Sequence, residues 1–203
     1  MNPKVLCRLL LALLLFAASI SMLKAQQSSS EARVERKYVS GRTIRMHLNA
    51  GGYEITGTDS NAIVVTYNGG SAENTKKIKV NIQTGDSVAE IWVQETPPSN
   101  FHATIEVPRR SDLWVRLTAG ELKVEGIEGN KDIEAHAGEV EIQIAHPEDY
   151  GHRDISVTTG SIDAPAFDIS KGGLWRSFRE NRAGKYALHV HVAAGEVTLS
   201  GTL

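Results

Sequence analysis

Residues 113–144 decide the fold. They read Leu113-Trp114-Val115-Arg116-Leu117-Thr118-Ala119-Gly120-Glu121-Leu122-Lys123-Val124-Glu125-Gly126. A second, degraded copy follows as Asp132-Ile133-Glu134-Ala135-His136-Ala137-Gly138-Glu139-Val140-Glu141-Ile142-Gln143-Ile144. Each copy is an alternating run, a small residue plus Gly, and another alternating run. The phrase returns as Val192-Ala193-Ala194-Gly195-Glu196-Val197-Thr198-Leu199 and appears early as Leu48-Asn49-Ala50-Gly51-Gly52-Tyr53-Glu54-Ile55. Among the copies aligned on Gly51, Gly120, Gly138, Gly160 and Gly195, the last four are small or aliphatic three and one residues before the Gly and two and four after it, positions read as inward. Spacings of 18 and 22 residues between Gly120, Gly138 and Gly160 match the rung of a β-solenoid, in which each turn of chain stacks on the last.

Outward from this stretch the period stays at two. Thr43–Leu48, Ala62–Tyr67, Lys77–Ile82, Ser87–Val93, His102–Val107 and Asp154–Thr159 alternate, rich in Val, Ile and Thr and bounded by Gly, Asn, Asp or Pro. Asn68-Gly69-Gly70 reads as a turn, and Pro97-Pro98 and Pro108 end strands because proline cannot donate to a ladder. No window outside the N-terminus carries a helical apolar stripe. The reading is an all-β chain: antiparallel strands from about 38 to 110, then a β-solenoid-like stack to 203, with a β-sandwich as the alternative.

The N-terminus is an address. Lys4 and Arg8 precede an apolar run from Leu9 to Ile20, and Leu23-Lys24-Ala25 offers a cleavage site, so residues 1–25 read as a signal peptide. Residues 26–37 read as a flexible lead-in and 38–203 as one domain. Once the signal is removed, no transmembrane segment remains. Secretion, to the periplasm or the cell envelope, is the expected localisation. The only cysteine, Cys7, lies in the signal, so the domain has no disulfide and relies on its core. Removal of Lys4, Arg8 and Lys24 leaves 19 basic and 24 acidic residues, net −5, which speaks against nucleic acid as a partner.

The interval from Gly160 to Gly195 holds an insertion, 165–186, that reads as a cap over an open end of the stack. On a short helix it would gather Leu174, Trp175 and Phe178 on one face, rimmed by Arg176 and Arg179. These five residues are the candidate partner contact, because Trp and Arg are favoured in binding hot spots.

The recurring small-Gly-Glu/Ser-aliphatic phrase, and the Gly-rich aromatic insertion followed by Gly184-Lys185-Tyr186-Ala187-Leu188-His189-Val190-His191, resemble the bacterial putative-adhesin domains of unknown function. The resemblance covers about residues 40–203. It implies a secreted or envelope-anchored, β-solenoid-like protein and carries over no catalytic residues.

Catalytic signatures are absent from the sequence: there is no Gly-x-Ser-x-Gly, His-Glu-x-x-His or phosphate-binding loop. Three constellations merit weighing. His189 and His191, two apart on one strand face, with His136 one step along the repeat, could hold zinc, but spacing fixes no carboxylate beside them. Asp132 and Asp154, six residues before their glycines, suggest an acid–base pair of a polysaccharide-acting β-helix enzyme. Glu121, Glu139 and Glu196 form a ladder of like charge, relieved by Lys123 and by Arg116 beside Glu134, or by calcium. The bland reading prevails for each, so no catalytic, cofactor or metal residue is assigned. The expected function is a non-enzymatic binding or scaffold module for an envelope polymer or protein, with the enzyme and a self-associating solenoid as alternatives.

Overall fold

The computed structural model describes residues 31–39 and 41–201, so the expected signal peptide lies outside the described residues. Twelve strands and one short helix follow in order: β1 (Glu31–Lys37), β2 (Thr43–Leu48), β3 (Gly51–Thr58), β4 (Ala62–Asn68), α1 (Ala72–Lys77), β5 (Lys79–Thr84), β6 (Val88–Gln94), β7 (His102–Pro108), β8 (Asp112–Glu125), β9 (Lys131–Ile144), β10 (Tyr150–Ala164), β11 (Ile169–Asn181) and β12 (Tyr186–Gly201). The chain is all-β, in one mixed sheet that does not close on itself. Among the described residues no helix is long and apolar enough to cross a membrane.

The repeat builds a parallel stack. Strands run in the order β3-β8-β9-β12-β10, and the aligned glycines pair in the order Gly51, Gly120, Gly138, Gly195, Gly160. A sixth, Gly173 on the antiparallel β11, continues the row beside Gly160. The reason for glycine is local. Gly138 has φ +121° and Gly195 φ +145°, and a Cβ on either would collide with the carbonyl oxygen of the glycine on the neighbouring strand.

At each glycine the burial pattern changes phase. In β8 the buried residues are Leu113, Val115 and Leu117 before the Gly and Leu122 and Val124 after it, while residues 118–121 stay out of the core. The residues expected inward just before the Gly, such as Ala119 and Ala194, therefore lie in the bend instead. Both legs bury their side chains in one hydrophobic cluster. Two half-sheets sharing one core fit the β-sandwich alternative. They do not constitute the expected coil of consecutive rungs, because the last strand, β12, is inserted between β9 and β10.

Three further expectations for the chain change. The strands before residue 110 are not simply antiparallel: β2 pairs in parallel with β6 and β8, and β3 with β7 and β8, so β2 and β3 together form one more bent row. Asn49 and Ala50, at the bend, fall outside the ladders and split this row into two strands, while the Asn49 amide donates to Val93 O at 3.1 Å. The lead-in expected over 26–37 is a strand from Glu31, because Ala32 and Val34 pack against the core while β1 pairs with β4. After Gly69-Gly70 comes α1 rather than a returning strand. Ser71 caps it by accepting from the Asn74 amide at 3.2 Å, and six residues are too few to write an apolar stripe.

Two cations occupy core positions that the repeat otherwise fills with leucine. Leu113, Lys131, Leu188 and Arg153 are neighbours across β8, β9, β12 and β10, each seven residues before its glycine. Lys131 is 2% exposed. Its Nζ donates to the carbonyl oxygens of Ile127 at 3.0 Å and Gly129 at 3.4 Å, and to the Tyr150 hydroxyl. Arg153 donates to Tyr150 O at 2.7 Å and Pro147 O at 2.6 Å, pairs with Glu180 at 2.8 Å and stacks over Phe167. The turns entering β9 and β10 are thereby tied to side chains in the stack.

Candidate functional site

The outward face of the strand halves that precede the glycines is lined by polar and aromatic side chains. Two rows cross it. Six residues before each glycine stand Trp114, Asp132, His189 and Asp154, followed by Arg179 on β11. Four residues before stand Arg116, Glu134, His191 and Ser156, with His47 and Trp92 continuing beyond Arg116. All but Arg179 are half-buried, as suits side chains that lie against their cross-strand neighbours.

One end of this face is an aromatic stack. The His47 and Trp92 rings lie parallel within 4° at 5.6 Å, and Trp114 meets His47 at 5.1 Å, tilted by 59°. The Arg116 guanidinium lies 3.9 Å from the Trp114 ring centre. It also reaches Asp132 Oδ1 at 2.8 Å and Glu134 Oε1 at 3.2 Å. The rings cover one another, so the stack stiffens the sheet. The cross-strand relief of Glu134 by Arg116 is as the sequence suggests.

The other end brings together groups whose proximity the sequence does not show. Asp132, Glu134 and His189 each present a ligand atom within 4.8 Å of the other two. Among the described residues the His189 ring makes no hydrogen bond or ion pair, whereas Ser156 Oγ lies 2.9 Å from His191 Nδ1. His136 is not part of this group, for it sits exposed in the bend. The Asp132–Asp154 pair is not formed either. β12 stands between their strands, and each carboxylate is held by an arginine, Asp132 by Arg116 and Asp154 by Arg179 at 2.7 Å.

On the second legs, Glu121, Glu139 and Glu196 are adjacent in the pairing. Glu121 and Glu139 join Glu54, His102, Lys123 and Glu141 around an open groove of about 330 Å³. Lys123 pairs with Glu125 at 2.6 Å rather than across to Glu141, and its amine is held above its ordinary pKa chiefly by that hydrogen bond.

The 165–186 insertion is a strand, not a helix: β11 runs antiparallel along the outer edge of β10 after a single 3-10 turn at Pro165–Phe167. Alternation in Ile169–Asn181 is weak, and the edge position supplies what the pattern lacks. Of the five candidate contact residues, Leu174 and Trp175 are 62% and 79% exposed, and Arg176 and Arg179 are exposed too. Phe178 packs against the core. Trp175 has φ +54°, where the pairing passes over Thr158 and Trp175 without a change of register. Lys171 and Arg176 donate only to backbone carbonyls, those of Ser177 at 3.0 Å and Gly172 at 2.6 Å, and make no ion pair among the described residues.

No protein-family model and no curated protein sequence matches the chain. Solved structures do. A putative cell adhesion protein from Clostridium sporogenes is similar over 85% of this chain and 100% of its own, with 12% identity and TM-score 0.54. A putative adhesin from Bacteroides fragilis covers 86% of this chain and 98% of its own at 7% identity, with TM-score 0.32. The first of these likenesses establishes a shared fold.

Proposed function

We propose that the protein is a secreted or envelope-associated binding module with an adhesin or scaffold role and no enzymatic activity. The observation that carries this reading is the edge strand β11. It presents Leu174 and Trp175 to solvent beside two cations, Lys171 and Arg176, that have no counter-charge among the described residues. Large apolar side chains exposed next to Arg are the ordinary composition of a binding hot spot. The name of the Clostridium sporogenes neighbour is in keeping with such a role. The partner is an envelope polymer or protein, contacted by Leu174, Trp175, Arg176 and Arg179, with Phe178 holding the strand to the core. The polysaccharide-acting alternative loses its support with the separation of Asp132 from Asp154.

A capture screen against envelope glycans and envelope proteins tests the reading. Trp175→Ala with Leu174→Ala leaves the melting temperature within about a degree or two, because exposed side chains contribute little to stability. The same change lowers affinity at least tenfold, as expected for a hot-spot residue worth about 2 kcal/mol. Full retention of capture by the double variant sinks the assignment.

A further inference from the structure

We propose that His189, His191, Asp132 and Glu134 form a binding site for a divalent transition metal of the zinc class, with Arg116 as the cation that the metal displaces. This inference is independent of the role assigned to β11. Residues two apart on a strand share a face, so His189 and His191 project together from β12. The parallel register with β9 sets Asp132 directly beside His189 and Glu134 directly beside His191. Four donors thus stand on two adjacent strands, two imidazoles and two carboxylates, a set that suits zinc.

The geometry is close to a working one. Three of the donor atoms already lie within 4.8 Å of one another. In a tetrahedral zinc site with bonds of about 2.1 Å, ligand atoms sit roughly 3.4 Å apart, a closure that side-chain torsions on a half-buried face supply. Ser156 Oγ beside His191 Nδ1 at 2.9 Å orients that ring and leaves Nε2 as its ligand atom. His189, with no hydrogen bond among the described residues, has both ring nitrogens to offer.

The two carboxylates already converge on one cation. Arg116 reaches Asp132 at 2.8 Å and Glu134 at 3.2 Å, from a side chain that is a quarter exposed. Such partly solvated ion pairs are weak. The displaced guanidinium needs no new partner, because it already lies 3.9 Å from the centre of the Trp114 ring. The imidazoles make the site a poor one for calcium, which prefers all-oxygen cages.

The test is calorimetric titration of the untagged protein with zinc and, separately, with calcium. Saturable zinc binding at one ion per chain is expected, with no comparable calcium binding. His189→Ala and Asp132→Asn each weaken zinc by at least about tenfold, and Arg116→Gln tightens it. Circular dichroism confirms that these outward substitutions leave the fold in place. The proposal is overturned if neither the wild type nor Arg116→Gln binds zinc saturably. Zinc affinity unchanged by His189→Ala, or calcium binding tighter than zinc, overturns it equally.

Discussion

Gly138→Ala destabilises the protein by about 4 kcal/mol, the sum of a strained backbone and an unrelieved overlap. At φ +121° an L side chain is strained even with room around it. There is no room. The Gly120 amide nitrogen would lie 2.9 Å from the new Cβ, and the Gly120 carbonyl oxygen nearer still. Both are backbone atoms of a central strand and cannot swing aside. Gly195→Ala behaves alike, since its Cβ would meet the Gly138 carbonyl. Gly172→Ala, with open space around its position, is the control and shifts stability by less than about 1 kcal/mol. Urea denaturation of the three variants decides the matter: equal midpoints for Gly138→Ala and Gly172→Ala would show that the glycine row is not under this constraint.

The second large effect is an unusual pH dependence. Burial pushes the Lys131 amine down to about 7, against the partial restoring influence of Asp112 and Glu128. Its three acceptors are two carbonyls and a phenol, which satisfy the donors without supplying counter-charge. In the unfolded chain the amine keeps its ordinary pKa near 10.5. Between those values the unfolded state holds a proton that the folded state has released, so stability rises with pH. The rise begins near pH 7 at up to about 1.4 kcal/mol per unit. It ends near pH 10. There the Tyr53 and Tyr150 phenols, raised by burial, keep protons in the folded state that the unfolded chain loses, and stability turns down. Thermal melts between pH 6 and 10 should show this ascent in the wild type and a flat profile in Lys131→Met. Parallel profiles for the two proteins would dismiss Lys131 as the cause.

Much of the architecture is legible in the repeat itself. Because rows stack in register, every copy must have its glycine where its neighbours have theirs, and aligning the sequence on glycine reproduces the observed pairing of β3, β8, β9, β12 and β10 except for a register shift at Tyr150. Inward positions such as Leu122, Val140 and Val197 follow from the same alignment. What the repeat cannot express is adjacency. Copies that are interchangeable in register can stack in any order, so nothing in the phrase places β12 beside β9. The candidate metal site was obscured for that reason: His189 and His191 are readable as an outward pair, but their carboxylate neighbours depend on strand order. The bend hid the rest. Alternation carried up to Gly120 assigns Ala119 inward, whereas residues 118–121 all lie in the bend, outside the core. Lys131 and Arg153 stood in leucine positions of the repeat and could have been flagged there, since a cation on a core row must be buried with partners.

The insertion of β12 has a consequence for how the protein is made. A chain emerging N-terminus first has β9 and β10 complete long before residues 186–201 appear, and each offers a full-length unpaired backbone edge to the other or to another molecule. Direct pairing of β9 with β10 would be in register, glycine on glycine, and would exclude the rightful strand. Maturation therefore waits on β12, and the nascent chain is open to mispairing until residues 186–201 have been synthesised.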